Sequence, residues 1–331
     1  MSARRAGLIT AIRDAIAHEM ERDATVVVMG VDAELGPLGS VRGLHARFGS
    51  ERVRSTPITE YAVTGAAAGA AMTGLRPIVD LHFSNFLYTA WDQLANQVAK
   101  LPYMTNGQLS LPLVLLACTG AAGSNAAQHS DCPTASLMNL GALDVVYPST
   151  PEDAAGLMTA AIRSPRPIVF LYPLALSSER GDAFEVGSEI PLGSARIRRT
   201  GEDVTCWASG AMAKKALEAA ARVADQGVSV EVIDPRTLAP LDVRTVLESV
   251  AKTGRLVAVD EGHASCSAAS EIIARVVSEG FGLLRTAPVA VTSPANTPVP
   301  YAPVLEREVV PSVDRIAAAL RAVTTADIVE V

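Results

Sequence analysis

Apolar positions recur at helical spacing from Leu8 to Arg22, and Thr25–Gly30 (T-V-V-V-M-G) then forms an unbroken apolar run ending in Gly, the pattern of a buried strand. A Gly-rich loop, Val31 to Gly43, follows. Pro77–His82 (P-I-V-D-L-H) reads as a second strand, Ala90–Tyr103 as an amphipathic helix, and Leu113–Cys118 (L-V-L-L-A-C) as another buried strand. The last runs into a polar loop, T-G-A-A-G-S-N-A-A-Q-H-S-D, that carries Gln128 and His129. A strand at Val145–Tyr147, a helix over Glu152–Arg163 and a strand at Pro167–Tyr172 complete the first half. From Leu174 to Ile190 the alternation breaks in a turn-rich polar stretch, read as a linker. Strands are then predicted at Val204–Ala208, Val228–Asp234, Arg255–Asp260 and Pro288–Thr292. Between and after them come helices near Ala213–Gln226, Val243–Ala251, Ala268–Glu279 and Ser312–Val323.

Strands alternating with helices imply parallel, doubly wound sheets, so the fold class is α/β with two such domains: 1–175, a linker at 176–195, and 196–331. Ligands of such sheets bind at the carboxyl ends of the strands. The loops carrying Glu60, Phe86 and His129 each follow a strand, which would let the three meet at one edge. The stretch Arg52–Gly74 is the densest candidate. A short β-branched run ends in Ser55-Thr56, Pro57 forces a turn, and Thr59 is a good N-cap for a helix that opens with Glu60. Gly65, Ala66, Gly69, Ala70 and Gly74 leave one side of that helix almost bare, open to a flat ligand or another subunit. Taken singly, Glu60 reads first as a first-turn carboxylate favoured by the helix dipole, and His129 as a structural loop residue.

Composition narrows the function. The chain has 331 residues, 49% apolar and 19% charged, enough for two large cores. A net charge of −7 without a basic cluster argues against nucleic acid. Arg4 and Arg5 lead into an amphipathic pattern, not a secretory signal, and the longest apolar segment, Tyr61 to Leu75, is too short to span a bilayer comfortably. Cys118, Cys132, Cys206 and Cys266 are 14, 74 and 60 residues apart, which fits no zinc spacing; they read as buried thiols of a cytoplasmic protein. G-x-S-x-G, Walker A, H-E-x-x-H and G-x-G-x-x-G are all missing.

Eight collinear segments carry a resemblance. They are T-P-I-T-E at Thr56–Glu60, G-L-R-P at Gly74–Pro77, Asn85-Phe86, Asp92-Gln93, A-A-Q-H-S at Ala126–Ser130, P-S-T-P-E-D-A at Pro148–Ala154, D-P-R-T-L-A-P-L-D at Asp234–Asp242, and V-P-Y-A-P-V-L-E at Val299–Glu306. Together they resemble the beta subunit of the thiamine-diphosphate-dependent decarboxylating component of 2-oxoacid dehydrogenase complexes (pyruvate, branched-chain and acetoin types), within the transketolase superfamily. The resemblance implies an N-terminal pyrimidine-binding domain and a transketolase-like C-terminal domain. It gives Glu60 a catalytic, cofactor-binding task, hydrogen bonding to a ring nitrogen of the aminopyrimidine so that the imino form takes the thiazolium proton, in a dry site where a carboxyl pKa rises. It makes Phe86 an aromatic that packs on the pyrimidine, and His129 a catalytic residue that donates a proton or orients the substrate.

What is missing matters equally. Family members hold the diphosphate and Mg²⁺ with a G-D-G motif on the alpha subunit; here only Gly181-Asp182-Ala183 comes near it, inside the linker. Metal ligation is therefore expected on a separate alpha partner and none on this chain, in a two-alpha two-beta heterotetramer that shares thiamine diphosphate at the interface and works with or without a lipoyl acyltransferase. The chain also departs from the pattern. Val31-Asp32 follows Gly30 where an acid is usual, which undermines an acidic relay; Tyr172-Pro173 replaces another acid. A-I-R-S-P-R at Ala161–Arg166 lacks the Asp and Asn of a potassium-site pattern, and Cys132–Leu143 lacks the usual aromatics. Three readings follow: a 2-oxoacid dehydrogenase beta subunit, the beta subunit of a stand-alone carboligase outside any lipoyl complex, or a non-catalytic scaffold that kept the fold.

Overall fold

Apolar β-branched residues buried on both faces give the computed structural model its central strands. It describes residues 5–182 and 184–325; Arg4, Ala183 and the last six positions of the expected C-terminal domain lie outside them. Contacts divide the chain into one unit of Met1–Thr119 with Ser136–Leu192 and another of Gly120–Ala135 with Gly193–Val331.

In the first unit, helix α1 (Leu8–Arg22) leads into β1 (Val26–Val31), short α2 (Leu44–Phe48), β2 (Val53–Thr56), α3 (Glu60–Met72) and β3 (Arg76–Phe83). After α4 (Leu101–Met104) come β4 (Val114–Thr119), short α5 (Thr134–Met138), β5 (Asp144–Val146), α6 (Pro151–Arg163) and β6 (Ile168–Pro173). The strands are parallel, in the order β5-β6-β4-β3-β1-β2. Every residue of β4 and β6 is buried, as their continuous apolar runs require. Helix α3 buries Val63, Thr64, Ala67, Ala68 and Ala71, while Tyr61, Ala62, Ala66 and Met72 stay exposed. The expected Thr59 cap is not made: Thr59 precedes α3 at φ −165°, and its side chain makes no capping bond. Helix α6 is capped as its sequence dictates, with the Thr150 hydroxyl accepting from Asp153 N–H at 3.2 Å and Pro151 opening the helix.

The helix expected over Ala90–Tyr103 is broken instead into a 3₁₀ turn (Ser84–Tyr88) ahead of it, a π-helical stretch (Gln93–Val98) and α4. Pro102 sits in the first turn of α4 and has no N–H to continue a preceding helix, so a new one starts there. Part of the expected linker packs onto this unit: Ile190 N–H donates to Gly156 O at 3.2 Å, and Glu189 meets Arg163 at 2.5 Å.

The second unit carries β7 (Arg196–Arg199), β8 (Val204–Ala208), α7 (Ala211–Ala224), β9 (Val230–Asp234), β10 (Thr237–Ala239), α8 (Val243–Thr253), β11 (Leu256–His263), α9 (Ala268–Gly280), β12 (Val289–Ser293), α10 (Pro303–Val309) and α11 (Val313–Thr325). Its sheet runs β12-β11-β8-β9-β7, parallel except for β7, which pairs antiparallel with β9. Strand β7 escapes a hydrophobic-pattern search because it reads R-I-R-R; it is held by Arg198, whose guanidinium meets the buried Asp234 carboxylate at 2.8 Å.

One glycine sets how closely β1 approaches β3. Gly30 stands in register with Asp80, and a Cβ there would run into the Asp80 carbonyl oxygen. Because backbone on a sheet cannot give way as a side chain would, Gly30→Ala is expected to destabilise the chain by about 3 kcal/mol, read from the urea-unfolding midpoint.

Candidate functional site

The carboxyl ends of β1, β2 and β3 open on one cavity of about 530 Å³ in the first unit. Val31 and Asp32 line it from the end of β1, Ile58, Glu60 and Val63 from the turn after β2 and the start of α3, and Asp80, His82, Phe83, Phe86 and Thr89 from β3 and the turn after it. This is where a doubly wound sheet places a ligand. Two of the three expected site residues, Glu60 and Phe86, are brought together here.

Pro57 ends the extended segment, and the chain enters α3 with Glu60 as its first residue, so the carboxylate stands at the positive end of the helix. Glu60 is half-buried in this chain, and its Oε2 accepts from the Thr89 hydroxyl at 3.1 Å. The one hydroxyl proton is shared with Phe86 O at 2.8 Å, and this three-centre bond ties the carboxylate to the aromatic turn. Phe86 is held edge-on against Phe83, with ring centroids 5.9 Å apart and planes at 76°.

A third acid was missed by sequence reasoning. Asp80 is buried in β3; its Oδ2 accepts from Ser40 Oγ at 2.7 Å and its Oδ1 from His82 N–H at 3.1 Å. Burial pushes its carboxyl above the usual range, against the pull of those bonds. His82 beside it adopts φ +62°, a left-handed conformation rare for a side-chain-bearing residue. The signal was available: an Asp inside P-I-V-D-L-H is a charge in an otherwise apolar strand, a combination that demands buried partners.

His129 lies elsewhere in the chain's organisation. It is half-buried in a 3₁₀ turn, Ala127–His129, within a loop that belongs to the second unit.

The departures from the family pattern acquire local causes. Tyr172 is fully buried in β6, in register with Cys118 of β4; burial raises both groups, the thiol to about 12, so neither carries charge near neutrality. Arg166, where the potassium-site pattern has Asn, pairs with Asp144 at 2.9 Å and puts a fixed positive charge at that helix end. No group of three or more metal-ligating side chains occurs among the described residues. The cysteines correct one expectation: Cys118 and Cys206 are buried, Cys132 is half-buried and Cys266 is exposed. No helix among the described residues is long and apolar enough to cross a membrane.

Comparison with known proteins matches residues 6–177 to the transketolase pyrimidine-binding domain and residues 193–316 to the transketolase C-terminal domain. Among curated relatives, the beta subunit of acetoin:2,6-dichlorophenolindophenol oxidoreductase from Cupriavidus necator is 43% identical, covering 96% of this chain and 97% of its own. The beta subunit of the pyruvate dehydrogenase E1 component from Rhizobium meliloti is 44% identical over 95% of this chain and 68% of its own. The Bacillus subtilis acetoin oxidoreductase beta subunit is 40% identical over 95% of this chain and 96% of its own. A solved split-gene transketolase, an inactive beta4 tetramer, shares the fold with a TM-score of 0.79 at 23% identity, over 97% of this chain and 98% of that one.

Proposed function

Since this chain belongs to the transketolase-like beta subunits of 2-oxoacid dehydrogenases, we propose that its cavity receives the aminopyrimidine of thiamine diphosphate, with Glu60 holding a ring nitrogen and Phe86 packing on the ring. The observation that carries this reading is the convergence of Glu60 and Phe86 on one cavity. The residues fit such a ring: Ile58, Val63, Phe83 and Phe86 offer apolar walls for its faces, and one carboxylate stands at a helix start for its polar edge. When bound, the coenzyme supplies the electron sink for decarboxylating a 2-oxoacid. This chain's part is to hold and move a proton. Glu60, fixed through one oxygen by Thr89, shares a proton with the ring nitrogen, and His129 gives or takes one at the substrate. With no G-D-G motif here, the diphosphate and Mg²⁺ fall to an alpha partner, in a cytoplasmic two-alpha two-beta assembly.

The acyl acceptor is either a lipoyl acyltransferase or a small molecule. The two acetoin oxidoreductase subunits favour, as a second reading, cleavage or formation of an acyloin by the same site. The test is to co-purify the chain with its alpha partner and measure thiamine diphosphate binding by calorimetry. Dichlorophenolindophenol reduction is then followed with pyruvate, branched 2-oxoacids and acetoin. Binding is expected only when both chains are present, with turnover of one substrate class. A stable heteromer that binds the coenzyme and turns over none of them would leave the scaffold reading instead.

A further inference from the structure

The loop that bears His129 is poor in side chains that could pack it into a core. Its first residues, G-A-A-G-S-N-A-A, offer almost no side chain to bury, and Gly120, Gly123, Ser124 and Ala126 all stand at positive φ, between +59° and +83°. Strained backbone persists only where its surroundings over-determine it. Part of the restraint is internal: Gly120 N–H donates to Asp131 O at 3.1 Å and closes the neck of the loop, Asn125 Nδ2 donates to Ala122 O at 2.8 Å, and His129 N–H donates to Ala126 O at 3.3 Å.

Two further bonds come from carboxylates far along the chain. Ala121 N–H donates to Glu261 Oε1 at 2.5 Å, and Ser124 N–H donates to Glu306 Oε2 at 3.0 Å. Bonds from backbone amides to a carboxylate are among the stronger ones a loop can make. Glu261 is buried at the end of β11, where Ser293 Oγ donates to its carbonyl at 2.7 Å, and its neighbour Asp260 takes Ser209 Oγ and Ala268 N–H, both at 2.9 Å. The fit at Gly120 is tight: a Cβ there would come within 2.6 Å of Glu261 Oε2.

Given the reading above in which His129 acts on the substrate, we propose that Glu261 is a positioning residue: through Ala121, and with Glu306 at Ser124, it fixes the loop 120–131 and so sets where His129 stands. A buried carboxylate is a costly choice for a purely structural anchor. Burial raises Glu261 to about 7, against the Ala121 bond and Lys215 of α7, while Asp260 beside it and Glu306 of α10 push it further up. Its charge therefore changes near neutrality, and its hold on the Ala121 amide strengthens as pH rises through that value.

The test uses the full chain assembled with its alpha partner. Hydrogen–deuterium exchange, corrected for the intrinsic pH dependence, is followed across the segment 120–131. Glu261→Ala is expected to speed exchange there by about tenfold while leaving the sheet segments unchanged. Glu261→Gln keeps a side-chain oxygen for Ala121 N–H, so it should retain most of the protection but lose its dependence on pH around neutrality. In turnover, Glu261→Ala should lower kcat at unchanged affinity for thiamine diphosphate, with Glu261→Gln restoring most of it. Unchanged exchange in Glu261→Ala, or an equal rise over the whole chain, overturns the proposal. So does a loosened loop with normal kcat when His129→Ala is inactive. If His129→Ala is also fully active, the loop assignment is supported and the role given to His129 fails.

Discussion

Glu60→Ala in the assembled heteromer is expected to lower kcat by about 10²–10⁴-fold, the range of a lost acid–base group. Hydrogen exchange at the thiazolium carbon of bound coenzyme, measured by NMR, should fall with it, because the ring nitrogen loses the carboxyl that shares its proton. The fold should survive. Glu60 is half-buried at the first position of α3, its one hydrogen bond of note is to the exposed Thr89 hydroxyl, and the packing of α3 rests on Val63, Ala67, Ala68 and Ala71. Gel filtration and the urea midpoint would verify that. Normal exchange at the thiazolium carbon in an intact Glu60→Ala heteromer would falsify the role given to Glu60. Thr89→Val is the milder companion: it frees the Glu60 carboxylate without removing it, so its effect should lie well below that of the alanine variant.

Arg163→Ala should damage the stability of the first unit as severely as Gly30→Ala. Glu19 of α1 is fully buried, and Arg163 of α6 reaches it twice, Nη2 to Oε1 at 2.6 Å and Nε to Oε2 at 3.0 Å. Burial alone would raise the Glu19 carboxyl, but the bonds from Arg163 and Arg22 outweigh it and hold it below the usual range. Removing Arg163 leaves a buried carboxylate with the half-exposed Arg22 at 2.9 Å and the His18 ring at 3.9 Å, at a cost of about 3 kcal/mol at neutral pH. The sign with pH follows from linkage: a depressed folded pKa contributes stability above the unfolded value, and that contribution is lost as pH falls through the folded one. Wild type should therefore lose stability on acidification, and the gap to Arg163→Ala should narrow. Urea unfolding at neutral pH and near pH 4 measures both, and replacing Glu19 and Arg163 together by Met and Leu should recover most of the loss.

The buried strands were legible from the pattern because parallel strands covered on both faces read as apolar runs: β1, β4 and β6 do, and so does the opening L-V-A-V of β11. The long helices α1, α6, α7, α8, α9 and α11 were legible from their spacing for a similar reason. Elements stabilised by something other than apolar periodicity were not. Strand β7 is four residues of which three are arginine, and it depends on Asp234; the π-helical stretch after β3 and the start of α4 depend on how Pro102 interrupts the ladder. At the site, Glu60 and Phe86 stood out through the matched segments and Asp80 could be read as a charge inside an apolar strand, whereas His82 and Thr89 became visible only as walls of the cavity.

The sequence by itself determined the alternation of strands and helices and the family, since each rests on local spacing or on matched motifs. The tertiary structure alone decided that Glu60 is tied to the Phe86 turn through Thr89, that Asp80 lies protected beneath the same cavity, and that the His129 loop is tethered to Glu261, 140 residues away. The physical reason is range. Side-chain periodicity reports which face of an element is buried, but a hydrogen bond between a loop amide and a distant carboxylate leaves no periodic trace, and it exists only once the strands carrying both ends have packed.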